Sequence, residues 1–145
     1  MTQTVAERVW FRLMRLDARL HGAVAERLKT IGLSIPQCDV LTTLSEREGV
    51  SQRELAERLY VTKGNISGLI DRLVTAGLVE RRSPAGDRRS HAIFLTAEGR
   101  NLAVQGIEVQ KLYIAQTFGR LSEEQLQTLD ALLINVRDAV RDSGK

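Results

Sequence analysis

A chain of 145 residues, 43% hydrophobic and 27% charged, with only two prolines, suits one compact domain or two lobes sharing one core, and excludes a disordered chain. A single cysteine cannot close an internal disulfide, there is no apolar run of about 18 residues to span a membrane, and charges interrupt the N-terminal stretch MTQTVAERVWFRLMRL too often for a signal peptide, so a cytoplasmic protein with no membrane partner is expected. The net charge of +3 is only a weak indication of an anionic partner.

The first segment reads as a long amphipathic helix. Val9, Leu13, Leu16, Leu20, Val24, Leu28 and Ile31 recur three or four residues apart as one stripe, with Arg8, Arg12, Arg15 and Arg19 on other faces and Gly32 as the stop. Ser34 and Gln37 fit a capping box, Pro36 is tolerated in the first turn, and Cys38, Leu41 and Leu44 make a short helical stripe that Gly49 ends. Ser51 and Glu54 form a second capping box, opening a short helix with Leu55, Ala56 and Leu59. Thr62 is the predicted N-cap of the next helix, which carries Ile66, Leu69, Ile70 and Leu73 on one face and Gly77 behind it. Two short helices joined by a tight turn at Tyr60-Val61 are a helix-turn-helix.

Beyond Gly77 the period changes. Residues 78–82 and 91–95 are predicted strands, and the turn-rich Ser83-Pro84-Ala85-Gly86-Asp87 lies between them, giving a β-hairpin with a long basic tip. Thr96 then caps a helix running to about Phe118, and Ser122 with Gln125 opens a last helix with Leu126, Leu129, Leu132, Leu133, Val136 and Val140. The fold class is therefore mainly α (α+β): a winged helix-turn-helix over residues 49–96, flanked by helical segments 1–48 and 97–145. The terminal apolar stripes exceed what one small four-helix unit can bury. They are expected to interdigitate with a second copy as a homodimer; a monomer with these helices packed on each other is the alternative.

The position of the charge says more than its total. Residues 49–96 carry a net +3, whereas 1–48 and 97–145 carry +1 and −1. Such an excess fits either a solvated surface or a phosphate-facing edge. The predicted helix after Thr62 presents Thr62, Lys63, Gly64, Asn65, Ser67 and Gly68 in its first turns, small and polar residues suited to a helix end entering the major groove. Gly64 and Gly68 each cost about 1 kcal/mol of helix stability against alanine, which close approach to a duplex would justify. Asn65 could pair with adenine, Thr62 or Ser67 could reach a base edge or phosphate, and Lys63 suits phosphate. Arg81, Arg82, Asp87, Arg88 and Arg89 form the wing candidate, an arginine on a β-tip being suited to the minor groove, with Asp87 holding an arginine in place. Ser51, Gln52 and Arg72 complete the candidate contacts to double-stranded DNA.

The sequence resembles the MarR-type transcriptional regulators, named for multiple antibiotic resistance. The resemblance is carried by Val61-Thr62-Lys63-Gly64-Asn65-Ile66-Ser67, by Asp71-Arg72-Leu73 followed by Gly77-Leu78-Val79-Glu80-Arg81, and by Asp87-Arg88-Arg89-Ser90 leading to Leu95-Thr96. Leu33-Ser34, Pro36-Gln37 and Leu41 also resemble the family's second helix. It implies an obligate homodimer with a helical dimerisation lobe and two winged-helix lobes on a pseudo-palindromic operator, usually as a repressor. It also implies that Arg89 is the minor-groove arginine and Asp87 its partner. Gly68 departs from the family, where many members carry a larger, often basic residue, so the resemblance implies no side-chain contact at this position.

Family members often bind small phenolic or aromatic ligands between the lobes, and Trp10, Arg15, His21 and Tyr60 are the candidates to line such a cleft; dimer packing for Trp10 and a surface role for His21 are the plainer readings. Cys38 offers a redox-responsive alternative, set against burial on its apolar stripe. Two histidines and one cysteine without a local cluster give no metal site, and no cofactor is expected. No nucleophile elbow or phosphate-binding Gly-rich loop is present, so no enzyme is expected. A winged helix that binds protein rather than DNA is a further alternative, but it would not need the basic wing.

Overall fold

Among the described residues, three helices begin where a side chain satisfies first-turn amides and a residue three positions later returns the bond. In the computed structural model, which describes residues 2–59, 63–83 and 91–145, helix α1 (Val5–Lys29) is opened by Thr4 and Glu7, α2 (Ile35–Glu46) by Ser34 and Gln37, and α6 (Glu123–Ser143) by Ser122 and Gln125. Each is a full capping box. The last two are as predicted; the first adds a helix start ahead of the Val9 stripe. Between α2 and α6 come strand β1 (Val50–Ser51), α3 (Gln52–Leu59), α4 (Lys63–Thr75), β2 (Val79–Arg82), β3 (Ala92–Leu95), α5 (Ala97–Gln116) and a single 3₁₀ turn (Phe118–Arg120). Ser51 Oγ accepts the Glu54 N–H at 3.1 Å and so starts α3. Gly77, at φ 76°, ends α4 in the left-handed conformation that glycine adopts without a Cβ penalty.

The sheet has three antiparallel strands in the order β1-β3-β2, where the sequence predicts a two-stranded hairpin. Strand β1 is only two residues long and runs directly into an N-cap, so it leaves no alternation to read. It pairs Val50 with Ile93 and Ser51 with Ala92, which makes β3 the central strand. On the other edge Val79 pairs with Leu95 and Arg81 with Ile93. Beyond the last pair, Ser83 Oγ and His91 Nδ1 lie 3.2 Å apart and continue the register toward the wing tip.

One core joins α2 to the helix-turn-helix and the sheet. Leu41 and Leu44 of α2, Leu55 of α3, Ile66 and Leu73 of α4 and Ile93 of β3 are all essentially inaccessible; each such aliphatic side chain contributes roughly 1.5–3 kcal/mol of burial free energy. The α1 stripe is divided. Leu28 is buried and Val24 and Ile31 pack against the core, whereas Val9, Leu13 and Leu16 are exposed, Val9 at 58%. On α6, Leu132, Leu133, Val136 and Val140 are exposed as well. Packing separates the chain into two compact units, Met1–Val109 and Gln110–Lys145. Among the described residues no helix is long and apolar enough to cross a membrane.

Candidate nucleic-acid interface

Helix α4 buries Ile66, Leu69, Ile70 and Leu73 and turns its opposite face outward. Asn65, Gly68 and Arg72 follow one another at spacings of three and four on that outer stripe, with Asn65 and Arg72 exposed. A β-carbon built on Gly68 meets nothing within 4 Å, so the helix presents open backbone there. Lys63 and Gly64 lie in the first turn of α4. Thr62 and Tyr60, and Asp87, Arg88 and Arg89 of the wing tip, lie outside the described residues.

The two arginines of β2 face opposite ways, as the period of two in a strand requires. Val79 is buried, Glu80 exposed, Arg81 half-buried and Arg82 exposed. Arg82 stacks its guanidinium 4.1 Å from the ring centroid of Phe94, its cross-strand diagonal neighbour, and pairs with Glu80 at 3.2 Å. Arg81 turns inward. Its Nε donates to Gln52 Oε1 of α3 at 2.6 Å, while its Nη2 donates to the Ser67 carbonyl of α4 at 3.2 Å and meets Asp71 Oδ1 at 2.6 Å. Of the expected contacts, Gln52 through its side chain and Ser67 through its backbone carbonyl are thus both bonded to Arg81. Sequence reading did not single out Asp71 as a site residue, although its position one turn after Ser67 and the inward phase of Arg81 would have pointed to it. Asp71 is 62% exposed, and a pair with so exposed a carboxylate is worth at most about 1 kcal/mol of stability in isolation.

Glu48, also not anticipated, closes the other side of the sheet. Its Oε1 accepts the Leu95 N–H of β3 at 3.0 Å and pairs with Arg100 Nη2 of α5 at 3.0 Å. The carboxylate therefore takes up a backbone donor of β3 beyond the end of the short β1.

The candidate ligand residues that are described do not converge. His21 lines a cleft of about 560 Å³ with Ala25, Lys29, Leu33, Ile35 and Pro36, and its Nδ1 lies 3.7 Å from Asp17 Oδ1. Burial raises the nearby Asp39 carboxyl above its usual range, partly offset by His21. Arg15 lines a separate cleft of about 390 Å³ with Arg8, Arg12 and Arg19. Trp10 belongs to neither and is 59% exposed on α1. Cys38 is fully buried, and desolvation, with a smaller contribution from Asp39, pushes its thiol up to about 11. Such burial disfavours the thiolate, the form that reacts with oxidants.

The MarR family profile matches residues 31–90. The HTH-type transcriptional repressor Rv2887 of Mycobacterium tuberculosis is 32% identical over 85% of this chain and 88% of its own length. The chain belongs to the MarR family. It is a winged-helix transcriptional regulator, not an enzyme. A structure of the M. tuberculosis MarR family protein Rv2887 in complex with salicylic acid superimposes with a TM-score of 0.67 at 28% identity, covering 93% of this chain and 97% of the other. AbsC, a MarR family regulator from Streptomyces coelicolor, gives a TM-score of 0.86 at 25% identity over 98% and 99% of the two chains. MepR of S. aureus, solved in a complex with DNA, shares the fold, with a TM-score of 0.81 at 21% identity over 90% and 96%.

Proposed function

We propose that this MarR-family chain is a homodimeric repressor of transcription that binds a pseudo-palindromic operator and is released by a small aromatic acid. Residues 49–96 carry its DNA contacts and residues 1–48 and 97–145 its dimer contacts, with α2 of the first segment packed into the DNA-binding core. The observation that carries the reading is the outward stripe Asn65, Gly68 and Arg72 on α4, beside a wing sheet. Asn65 with Gly64, Thr62 and Ser67 reads the major groove, Lys63 and Arg72 meet phosphate, and Arg88 and Arg89, with Asp87 holding Arg89, reach the minor groove. The exposed apolar residues of α1 and, separately, those of α6 each offer surface to a second copy.

Repression is supported by the M. tuberculosis relative, an HTH-type transcriptional repressor, and release by a small aromatic acid by that relative's complex with salicylic acid. The cleft beside His21 has the volume of a small-molecule site, apolar walls and one cation, Lys29. A ligand that prefers the lobe spacing unfit for DNA weakens DNA binding by its affinity ratio for the two states. Burial of Cys38 favours this route over redox release.

Selection of bound fragments from the source genome tests the reading directly. Enrichment of a palindromic sequence, whose binding falls steeply with salt and is lost in Arg89→Ala, supports it; binding that is flat with salt favours a protein partner instead. Salicylate added to the bound complex tests release. DNA release by peroxide in the wild type but not in Cys38→Ser would favour the redox alternative.

A further inference from the structure

Helix α4 rests on its neighbours through Ile66, Leu69, Ile70 and Leu73, and apolar contact has no direction. Close packing limits the helix to small rotations about its own axis, and even a small one would carry Asn65, Gly68 and Arg72 sideways along the groove. Directional bonds fix its setting within that range. Arg81 supplies the directional bonds: its side chain lies on the same inward face of β2 as Val79, and one edge of its planar fork touches both helices of the motif.

Resting on the DNA-binding reading above and deepening it, we infer that Arg81 is a positioning residue for recognition. Its Nε holds Gln52 of α3 at 2.6 Å, and its Nη2 holds one turn of α4, the Ser67 carbonyl at 3.2 Å and Asp71 Oδ1 at 2.6 Å. The rigid guanidinium therefore sets the rotation of α4 against α3 and the wing strand. Ser67 and Asp71 lie one helical turn apart, so two bonds to that turn fix its orientation where a single bond would leave a pivot. Arg81 acts on DNA through α4, whereas Arg82, on the opposite face, stacks on Phe94. Base readout depends on placement to within about 0.5 Å, so small slippage of α4 costs specificity before it costs the fold.

The alternative is that Arg81 is itself a phosphate ligand, partly restrained by Asp71. Asp71→Asn separates the two by sign. Removing an exposed carboxylate makes the surface more positive, so a phosphate ligand released from restraint binds every duplex more tightly and steepens the salt dependence by about one. A positioning residue whose anchor is weakened loses affinity for the preferred sequence, while non-specific binding holds or rises slightly with the added positive charge, so selectivity falls. The probe is a duplex that the wild-type protein selects from a randomised pool, compared with a scrambled duplex of equal length.

Asp71→Asn keeps an acceptor for Nη2 but gives up the charge, so the expected loss on the selected duplex is a few-fold, with no loss on the scrambled one. Arg81→Lys keeps the charge and loses the fork, and is expected to match Asp71→Asn; the double variant is expected to lose no more than either single. Tighter binding by Asp71→Asn, or full selectivity in Arg81→Lys, overturns the inference while leaving DNA binding intact. If wild-type protein enriches no sequence from the pool, the DNA-binding reading fails and the inference falls with it. A lowered melting temperature with unchanged selectivity would mark Arg81 as merely structural and also overturns it.

Discussion

A β-carbon on Gly106 would stand 2.7 Å from the Sγ of Cys38. Helix α5 lies against α2 at this point only because residue 106 has no side chain. Substitution by alanine would gain about 1 kcal/mol of helix propensity and would lose roughly 1–3 kcal/mol to overpacking. Gly106→Ala is therefore expected to be net destabilised in urea, and Cys38→Ala in the same chain to recover part of the loss. Strict additivity of the two changes would show that the contact does not matter.

Gly68 makes the opposite case. A β-carbon there meets nothing within 4 Å, so only the propensity gain operates. Gly68→Ala is expected to raise stability by up to about 1 kcal/mol, read from the denaturation midpoint. If the duplex approaches α4 as closely as the open backbone allows, the same change weakens binding, so stability and affinity move in opposite directions.

The buried thiol of Cys38 predicts a specific alkaline response. Its folded value of about 11 lies above the ordinary 9.0, so the native state favours the protonated form. This contribution is complete below pH 9, where both states keep the proton, and is lost as pH rises toward 11, where the unfolded chain ionises first. The stability advantage of wild type over Cys38→Ala is expected to shrink by roughly 2 kcal/mol across that window. A constant difference would contradict the burial of the thiol in apolar surroundings.

Glu48 has two functions that substitution can separate. Glu48→Gln removes the charge partner of Arg100 but keeps an acceptor for the Leu95 N–H, and is expected to cost under about 1 kcal/mol. Glu48→Ala also strands a partly buried backbone donor and is expected to cost about 1–3 kcal/mol. Equal losses in the two variants would place the energy in the ion pair instead.

Much of the architecture could be read from local chemistry. Ser34 with Gln37 and Ser122 with Gln125 mark helix starts because a side-chain oxygen and a backbone amide three residues on need no distant partner. Gly77 marks a stop for the same local reason. Strand β1 was not legible, since Val50 and Ser51 become a strand only by pairing with Ile93 and Ala92, more than forty residues away. Grouping Arg81 with Arg82 as wing cations followed their adjacency in the chain, whereas strand alternation sends one to the helices and the other to Phe94. Glu48 was invisible for a related reason: its partners, Leu95 and Arg100, are brought to it by the sheet. The single long stripe of α1 was correct as periodicity, but periodicity does not say which half finds a partner within the same chain.

Trp10 is the chain's single tryptophan, and more than half of its surface faces solvent on the unpartnered half of α1. Indole emission shifts to shorter wavelength when water is replaced by apolar packing. The chain thus carries an unlabelled optical gauge on the face where a second copy would dock. Its emission maximum on dilution reports, at concentrations too low for hydrodynamic methods, whether that face is covered.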